Sequence, residues 1–163
     1  MLSNRNSRNI AIDSKDMKAI LFRNFTGKPD QFNPKGTMGN FTVVLNEGKA
    51  RELEDLGLNI KHKTNRDGDD EARLQIFCRF ENFPPKVYRK VGHNTVELDQ
   101  DTIEILDNDE IEDADLIISP YSYDFNGRKG VKAYLYRGYF TVAEDQYAQR
   151  YLGDGDDEAS APF

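Results

Sequence analysis

The chain has 163 residues, which is the length of one ordinary domain with a tail. Hydrophobic residues make up 37% of it, and no run approaches the roughly 18 apolar residues that span a bilayer, which excludes a membrane-spanning helix. The net charge of −7, taken alone, argues against a nucleic-acid binder.

The first half of the chain alternates between turn formers and short apolar segments. Residues 1–16 are polar and have no sustained period, so we expect a flexible N-terminal arm. Strands are predicted at 18–25, 40–46 and 58–63, because these segments are β-branched or alternate between apolar and polar residues. A short helix is predicted over 47–57, where apolar residues recur at helical spacing.

The second half contains the clearest alternation. In segment 72–80, Leu74, Ile76 and Cys78 share one face, and the opposite face is basic with an aromatic residue in its middle. A short strand follows at 86–91, and a short helix is predicted near 102–106. A hairpin is predicted from 116–123 and 131–142, with Asn126-Gly127 at its turn and a bulge near Gly138.

These elements predict a mainly β fold. The best single architecture is an OB-fold-like, five-stranded antiparallel Greek-key barrel with extended hairpins and one or two short helices. The barrel would occupy residues 17–145, after the arm at 1–16 and before a disordered acidic tail at 146–163. A sandwich remains open, because periodicity alone does not distinguish it from a barrel.

The acidic residues are segregated along the chain. Residues 97–115 carry ten acids and no base, and residues 144–163 carry six acids and only one base, Arg150. The remainder has 21 basic and 13 acidic residues, a net charge of +8. A basic body of this kind favours a polyanionic ligand.

Aromatic and basic residues are interleaved on the predicted strands, starting with Phe22, Arg23 and Phe25. Unpaired nucleic acid needs cations for its phosphates and flat rings on which its bases stack. Aromatic residues also fill β cores whatever the function, but Phe77 lies opposite a complete apolar face. The predicted contacts to single-stranded DNA are Arg73, Phe77, Arg79, Tyr88, Arg128, Lys129, Lys132, Tyr134 and Tyr136.

No other motif supplies chemistry. His62 and His93 are far apart and lack metal-ligand spacing, and Cys78 is expected to be a buried, inert thiol. We therefore expect no cofactor, no metal and no catalytic residue. The scattered carboxylates leave a small metal-dependent nuclease open as an alternative.

The C-terminus combines acids with a terminal aromatic residue in GDGDDEASAPF. It resembles the acidic tip of bacterial single-stranded DNA-binding proteins, although Ala159-Ser160-Ala161 separates the acids from Pro-Phe. In that family the final Phe and its carboxylate dock on partner proteins. The resemblance implies a partner-binding tail formed by Asp154, Asp156, Asp157, Glu158, Pro162 and Phe163.

The body is similar to bacteriophage single-stranded DNA-binding proteins with an oligonucleotide-binding fold. The similarity lies in KAILFRNF with FNPKG, in FPPK and in DADLIISPYSY with NGRKGVKAYL, and it extends over most of 18–145. It implies a non-enzymatic protein that coats single-stranded DNA without strong sequence preference during phage replication or recombination. Replication or recombination proteins of the phage or host would be recruited through the tail.

The expected location is the cytoplasm of the infected bacterium. The N-terminus has no apolar core of a secretory signal, and a lone cysteine is typical of a reducing compartment. An RNA-binding module on the same fold is a further alternative. The sequence leaves oligomeric state, cooperativity and the role of 97–115 open.

Overall fold

The computed structural model describes residues 9–31, 33–81 and 83–144, which form nine strands, one α-helix and one 3-10 helix. The strands are β1 Ile10–Ile12, β2 Met17–Asn24, β3 Gly39–Leu45, β4 Lys61–Thr64, β5 Asp70–Cys78, β6 Lys86–Val91, β7 Asn94–Leu98, β8 Ile111–Phe125 and β9 Arg128–Val142. Helix α1 is Glu47–Asp55, and the 3-10 helix is Ile103–Asp107. Within these described ranges, neither helix has the length and apolar character needed to cross a membrane.

Local sequence explains the helix. The Asn46 side chain accepts a hydrogen bond from the Lys49 backbone N–H at 2.8 Å and so caps the first turn of α1. Ala50 and Leu53 face the core. Gly57 follows the last turn with a φ of 92°, a left-handed conformation that glycine adopts without steric cost. The predicted helix is confirmed.

Strand β9 organises the sheet, whose strand order is β1-β8-β9-β5-β3-β2. Along one edge, β9 pairs with β8 in an antiparallel hairpin. Along the other edge it pairs in parallel with two strands in succession, first β5 and then β6. Strand β4 is added to β5, and β7 is added to β6.

This architecture confirms a mainly β protein and differs from the predicted five-stranded antiparallel barrel. The sheet has nine strands, includes parallel pairs, and is open, because its described end strands β1 and β2 each pair on one side only. The physical reason is the length of β8 and β9, which have 15 residues each. One edge of β9 is long enough to pair with both β5 and β6, which a compact barrel strand would not do.

The N-terminal part also differs from the prediction. Residues 10–12, placed in the predicted flexible arm, form β1 and pair with β8 in the register Ile10↔Ile118 to Ile12↔Leu116. Ile12 is fully buried, so apolar burial fixes this short strand. Residues 1–8 of the predicted arm lie outside the described residues.

A cluster of three rings forms the centre of the core. Phe25 and Phe41 stack with centroids 4.8 Å apart, and Phe140 meets them edge-on at 5.6 and 5.9 Å. Burial of each such side chain contributes about 1.5–3 kcal/mol. Cys78 lies in the same core, and burial raises the pKa of its thiol, in agreement with the predicted inert role.

The acidic stretch 97–115 is tied to two strands of the sheet. The Arg23 guanidinium on β2 donates hydrogen bonds to the carbonyls of Leu106 and Asp109 at 2.8 and 2.5 Å. Arg89 on β6 forms an ion pair with Asp109, with 2.7 Å between Nε and Oδ2, and this hydrogen bond raises the pKa of Arg89. One carboxylate of the acidic stretch, that of Asp109, thus helps to hold the 3-10 helix against the sheet.

A bulge in β9 decides which side chains face outward. Ile117 pairs with Arg137 and Ile118 pairs with Leu135, so Tyr136 is the extra residue. The sequence predicted a bulge at Gly138, two residues further on. Buried positions change phase there, from Ala133 and Leu135 to Gly138 and Phe140.

Candidate nucleic-acid interface

A row of partly exposed side chains crosses the outer face of the sheet, the face turned away from the core. Ser119, Tyr134, Phe77 and Asn40 are successive register partners on β8, β9, β5 and β3. Because register partners project from the same face, these side chains lie side by side. The ring centroid of Tyr134 is 6.1 Å from that of Phe77 and 5.9 Å from that of Tyr121.

Lys132 supplies a positive charge beside these rings. Its Nζ lies 5.2 Å from the ring centroid of Phe77 and 5.5 Å from that of Tyr123. Aromatic ring faces attract the ammonium group without using its N–H donors, so these donors stay available to other groups. Lys132 is exposed, so phosphate oxygens can reach it.

The row continues into a groove of about 390 Å³. Three kinds of side chain suited to nucleic acid line it, and among its described lining residues none is Asp or Glu. The cations are Lys61, Lys63, Arg73 and Lys132, the rings are Phe22, Phe77 and Tyr123, and the amides are Asn40, Asn59 and Gln75. On the groove floor, the Gln75 amide donates to the Asn40 side-chain oxygen at 3.1 Å.

Arg73 differs from the other cations of the groove because a carboxylate already partners it. Its Nε and Nη2 both donate to Glu71 Oε1, at 2.9 and 2.7 Å. Hydrogen bonds from the Asn65 amide and from Arg73 lower the pKa of the Glu71 carboxyl below its usual value. The Arg73 guanidinium also lies over the Phe22 ring, 5.4 Å from its centroid.

Four of the predicted contact residues meet in this region. Arg73, Phe77 and Lys132 line the groove, and Tyr134 contacts Phe77. The alternation of β5 is confirmed, since Leu74, Ile76 and Cys78 are buried while Phe77 is half-buried on the other face.

The other predicted contact residues lie elsewhere. Arg79 lines a separate cavity beyond the end of β5, together with Glu81 and Asp101. Arg128 and Lys129 are exposed at the turn of the β8–β9 hairpin. Tyr136, the bulge residue, has the Arg137 guanidinium 5.8 Å from its ring centroid.

Tyr88 belongs to a second ring pair. It stacks on Tyr139 with centroids 4.8 Å apart and an interplanar angle of 13°. Glu97 is the register partner of Tyr88, and Asp115 is the register partner of Tyr139. Carboxylates therefore flank this pair on both sides.

The sequence did not place Phe22, Lys61, Lys63 or Tyr123 in the predicted contact set. For the two lysines a signal was present, because in 58–63 the residues Lys61 and Lys63 form the polar phase of the alternation. Phe22 was among the interleaved aromatic residues, but the sequence did not show that it lines a groove with Phe77, because an irregularity of β2 brings it there.

The six predicted tail residues, Asp154 to Phe163, lie outside the described residues. Across the part of the chain that the structure covers, no three His, Cys, Asp or Glu side chains are grouped so as to hold a metal ion.

Comparison with known proteins defines the class. Residues 4–159 match the family model described as "Putative phage ssDNA-binding domain", so the chain belongs to this phage single-stranded DNA-binding domain family. No curated protein matches significantly.

Two solved structures share the fold. The single-stranded DNA-binding protein from bacteriophage Enc34 in complex with ssDNA is 14% identical, with a TM-score of 0.53, over 86% of this chain and 89% of that one. A C-terminal truncation of the same Enc34 protein is also 14% identical, with a TM-score of 0.52, over 86% and 88% of the two chains. At this identity the likeness concerns the fold alone.

Proposed function

We propose that this protein binds single-stranded DNA in the groove bounded by β2, β3, β4, β5 and β9. The observation that carries the proposal is the composition of the groove. A chain with a net charge of −7 lines it with three lysines, with Arg73 that Glu71 already partners, and, among the described lining residues, with no acid. Membership of the phage single-stranded DNA-binding family supports the same ligand.

The mechanism is positioning by charge and stacking. Lys61, Lys63 and Lys132 contact phosphates, and the rings of Phe77 and Tyr134 offer faces to unpaired bases. Rings accept every base, and a cation contacts every phosphate, so the protein coats single strands with little sequence preference. No bond is made or broken.

The biological role follows from the ligand. The protein would cover strands exposed during phage DNA replication or recombination, in the cytoplasm of the infected host. Its acidic tail, with Phe163 at the tip, would recruit replication proteins. The resemblance of the tail to that of bacterial single-stranded DNA-binding proteins supports this role.

Binding of the full chain to labelled oligonucleotides tests the proposal. A dT oligonucleotide, a duplex and an RNA of equal length are compared across a salt series, each with magnesium present. We expect tightest binding to the dT strand, affinity that falls as salt rises, and no shortening of the oligonucleotide.

The alternatives give different results in the same experiment. Shortening of the labelled strand would favour a metal-dependent nuclease, and tighter binding to the RNA would favour an RNA-binding module. Equal binding to the duplex would mean that charge alone attracts the ligand and that the rings take no part.

A further inference from the structure

We infer that Phe22 forms a second base-stacking site, on the β2 side of the groove and across β3 from Phe77, and that Arg73 is the positioning residue that holds its ring. The inference rests on the proposed binding of single-stranded DNA. It rests further on three independent features of Phe22: its exposure, its backbone conformation and its partner.

The exposure of Phe22 is unusual for a phenylalanine on a strand. Its side chain is 66% exposed although it lines the groove. A phenylalanine in a sheet usually stabilises the fold through burial of its ring. A ring left in water gives no such stabilisation. An exposed ring in a groove lined by cations is instead available to a ligand with a flat face.

The backbone at Phe22 is strained so as to present the ring. Its φ is 51°, in the left-handed region that bulky residues rarely adopt. Leu21 pairs with Thr42 and Asn24 with Asn40, so β2 carries one residue more than β3 between these pairs. Such bulges redirect a side chain, and they are frequent next to functional sites.

The next residue explains how the strain is maintained. Arg23 is anchored by hydrogen bonds to the carbonyls of Leu106 and Asp109, on the 3-10 helix side. The Phe25 N–H donates to Asp107 at 2.7 Å. With this part of β2 fixed to the acidic stretch, the bulge places Phe22 in the groove and Arg23 against the 3-10 helix.

The partner of the ring is itself held in place. Arg73 lies over Phe22, and both of its donating nitrogens contact Glu71, which in turn accepts a hydrogen bond from Asn65 at 3.0 Å. A guanidinium whose charge is matched by a carboxylate contributes little as a phosphate contact. The guanidinium lies over one side of the ring, which leaves the other side for a base.

The two stacking sites are far enough apart to hold different nucleotides. Phe22 is on β2 and Phe77 is on β5, with β3 between them, so the two backbones are about 10 Å apart. Stacked bases follow one another at about 3.4 Å. The Gln75 amide, which lines the groove, donates to the Asn40 side chain on β3, the strand between β2 and β5.

Two variants of the full chain test the ring. Phe22→Asn removes it and suits the left-handed backbone, whereas Phe22→Tyr keeps a ring and is the matched control. We expect Phe22→Asn to bind a dT oligonucleotide about 5- to 150-fold more weakly, with an unchanged salt slope and no lower Tm. Phe22→Tyr should bind as the unaltered protein does.

Arg73→Gln, alone and with Phe22→Asn, tests the positioning role. If Arg73 acts through the ring, the double variant binds no more weakly than Phe22→Asn alone. The salt slope of Arg73→Gln should also be unchanged. Additive losses, or a slope reduced by about 0.7, would make Arg73 a phosphate contact and overturn the positioning role.

Crosslinking tests the inference on the unaltered protein, so the result does not depend on whether a variant folds. Oligonucleotides with a single 5-iododeoxyuridine at successive positions are irradiated in the complex, and the crosslinked peptides are identified. Crosslinks to Phe22 and Phe77 from different positions support the inference.

Binding of the dT strand with no crosslink to Phe22, and full affinity of Phe22→Asn, overturn the second site and leave the proposed function intact. No binding of the unaltered chain would instead overturn the proposed function.

Discussion

Two pairs of aromatic rings occupy equivalent places in the sheet, each joining β9 to a parallel neighbour, and they have different surroundings. Phe77 is aligned with Tyr134 across the parallel pair of β5 and β9, and Tyr88 is aligned with Tyr139 across the parallel pair of β6 and β9. Both pairs lie on the outer face of the sheet. By ring geometry alone, the second pair is the better stack, with centroids 4.8 Å apart against 6.1 Å.

The neighbours on adjacent strands distinguish the two pairs. The first has Lys132 within 5.2 Å of the Phe77 ring, and the second has Glu97 and Asp115 as register partners. Adjacent strands are about 4.8 Å apart, well inside the screening length of about 10 Å at 0.1 M salt. Carboxylates this close oppose a phosphate chain, so the charge beside a ring decides whether it suits nucleic acid.

The largest expected effect is the loss of DNA affinity when a ring of the Phe77–Tyr134 pair is removed. Removal of a ring from the Tyr88–Tyr139 pair is the control. Phe77→Ala should weaken binding of a dT oligonucleotide by about 1–3 kcal/mol, because a base loses its stacking face. Tyr139→Ala, the matched control at a 41% exposed ring, should leave affinity nearly unchanged. Fluorescence anisotropy measures both, with thermal unfolding to show that each variant folds. Equal losses would mean that the acidic neighbours do not exclude DNA.

A smaller effect is expected from single cations beside each pair. Lys132→Ala should make the plot of log affinity against log salt shallower by about 0.7, the value for one contact to a single strand. Lys90→Ala is the control, since Lys90 is exposed on β6, two residues from Tyr88. An unchanged slope for Lys132→Ala would place the phosphates outside the groove.

The smallest effect is expected from deleting residues 153–163. These carry four acids, and a tethered polyanion competes with DNA for a basic groove. Deletion should tighten binding at low salt, and the gain should shrink as salt screens the competition. It should also shrink in the Lys132→Ala background, because the competition is for that groove. Weaker binding after deletion would exclude competition by the tail.

Most of the local structure could be predicted from the sequence. The alternation in 72–80 predicted which residues of β5 are buried, and it put Phe77 on the outer face. Apolar spacing predicted α1, and the Asn126-Gly127 turn predicted the hairpin of β8 and β9. These features depend on residues close together in the chain, and periodicity records them.

Only the tertiary structure decided which faces meet. Periodicity assigns a side chain to a face but carries no information on the neighbouring strand, so it did not show that β9 pairs with β5 and β6 in parallel. It therefore ranked Tyr88 with Tyr134, although carboxylates flank only the first. Phe22 reached the groove through a one-residue bulge, and a bulge depends on the partner strand as much as on its own sequence.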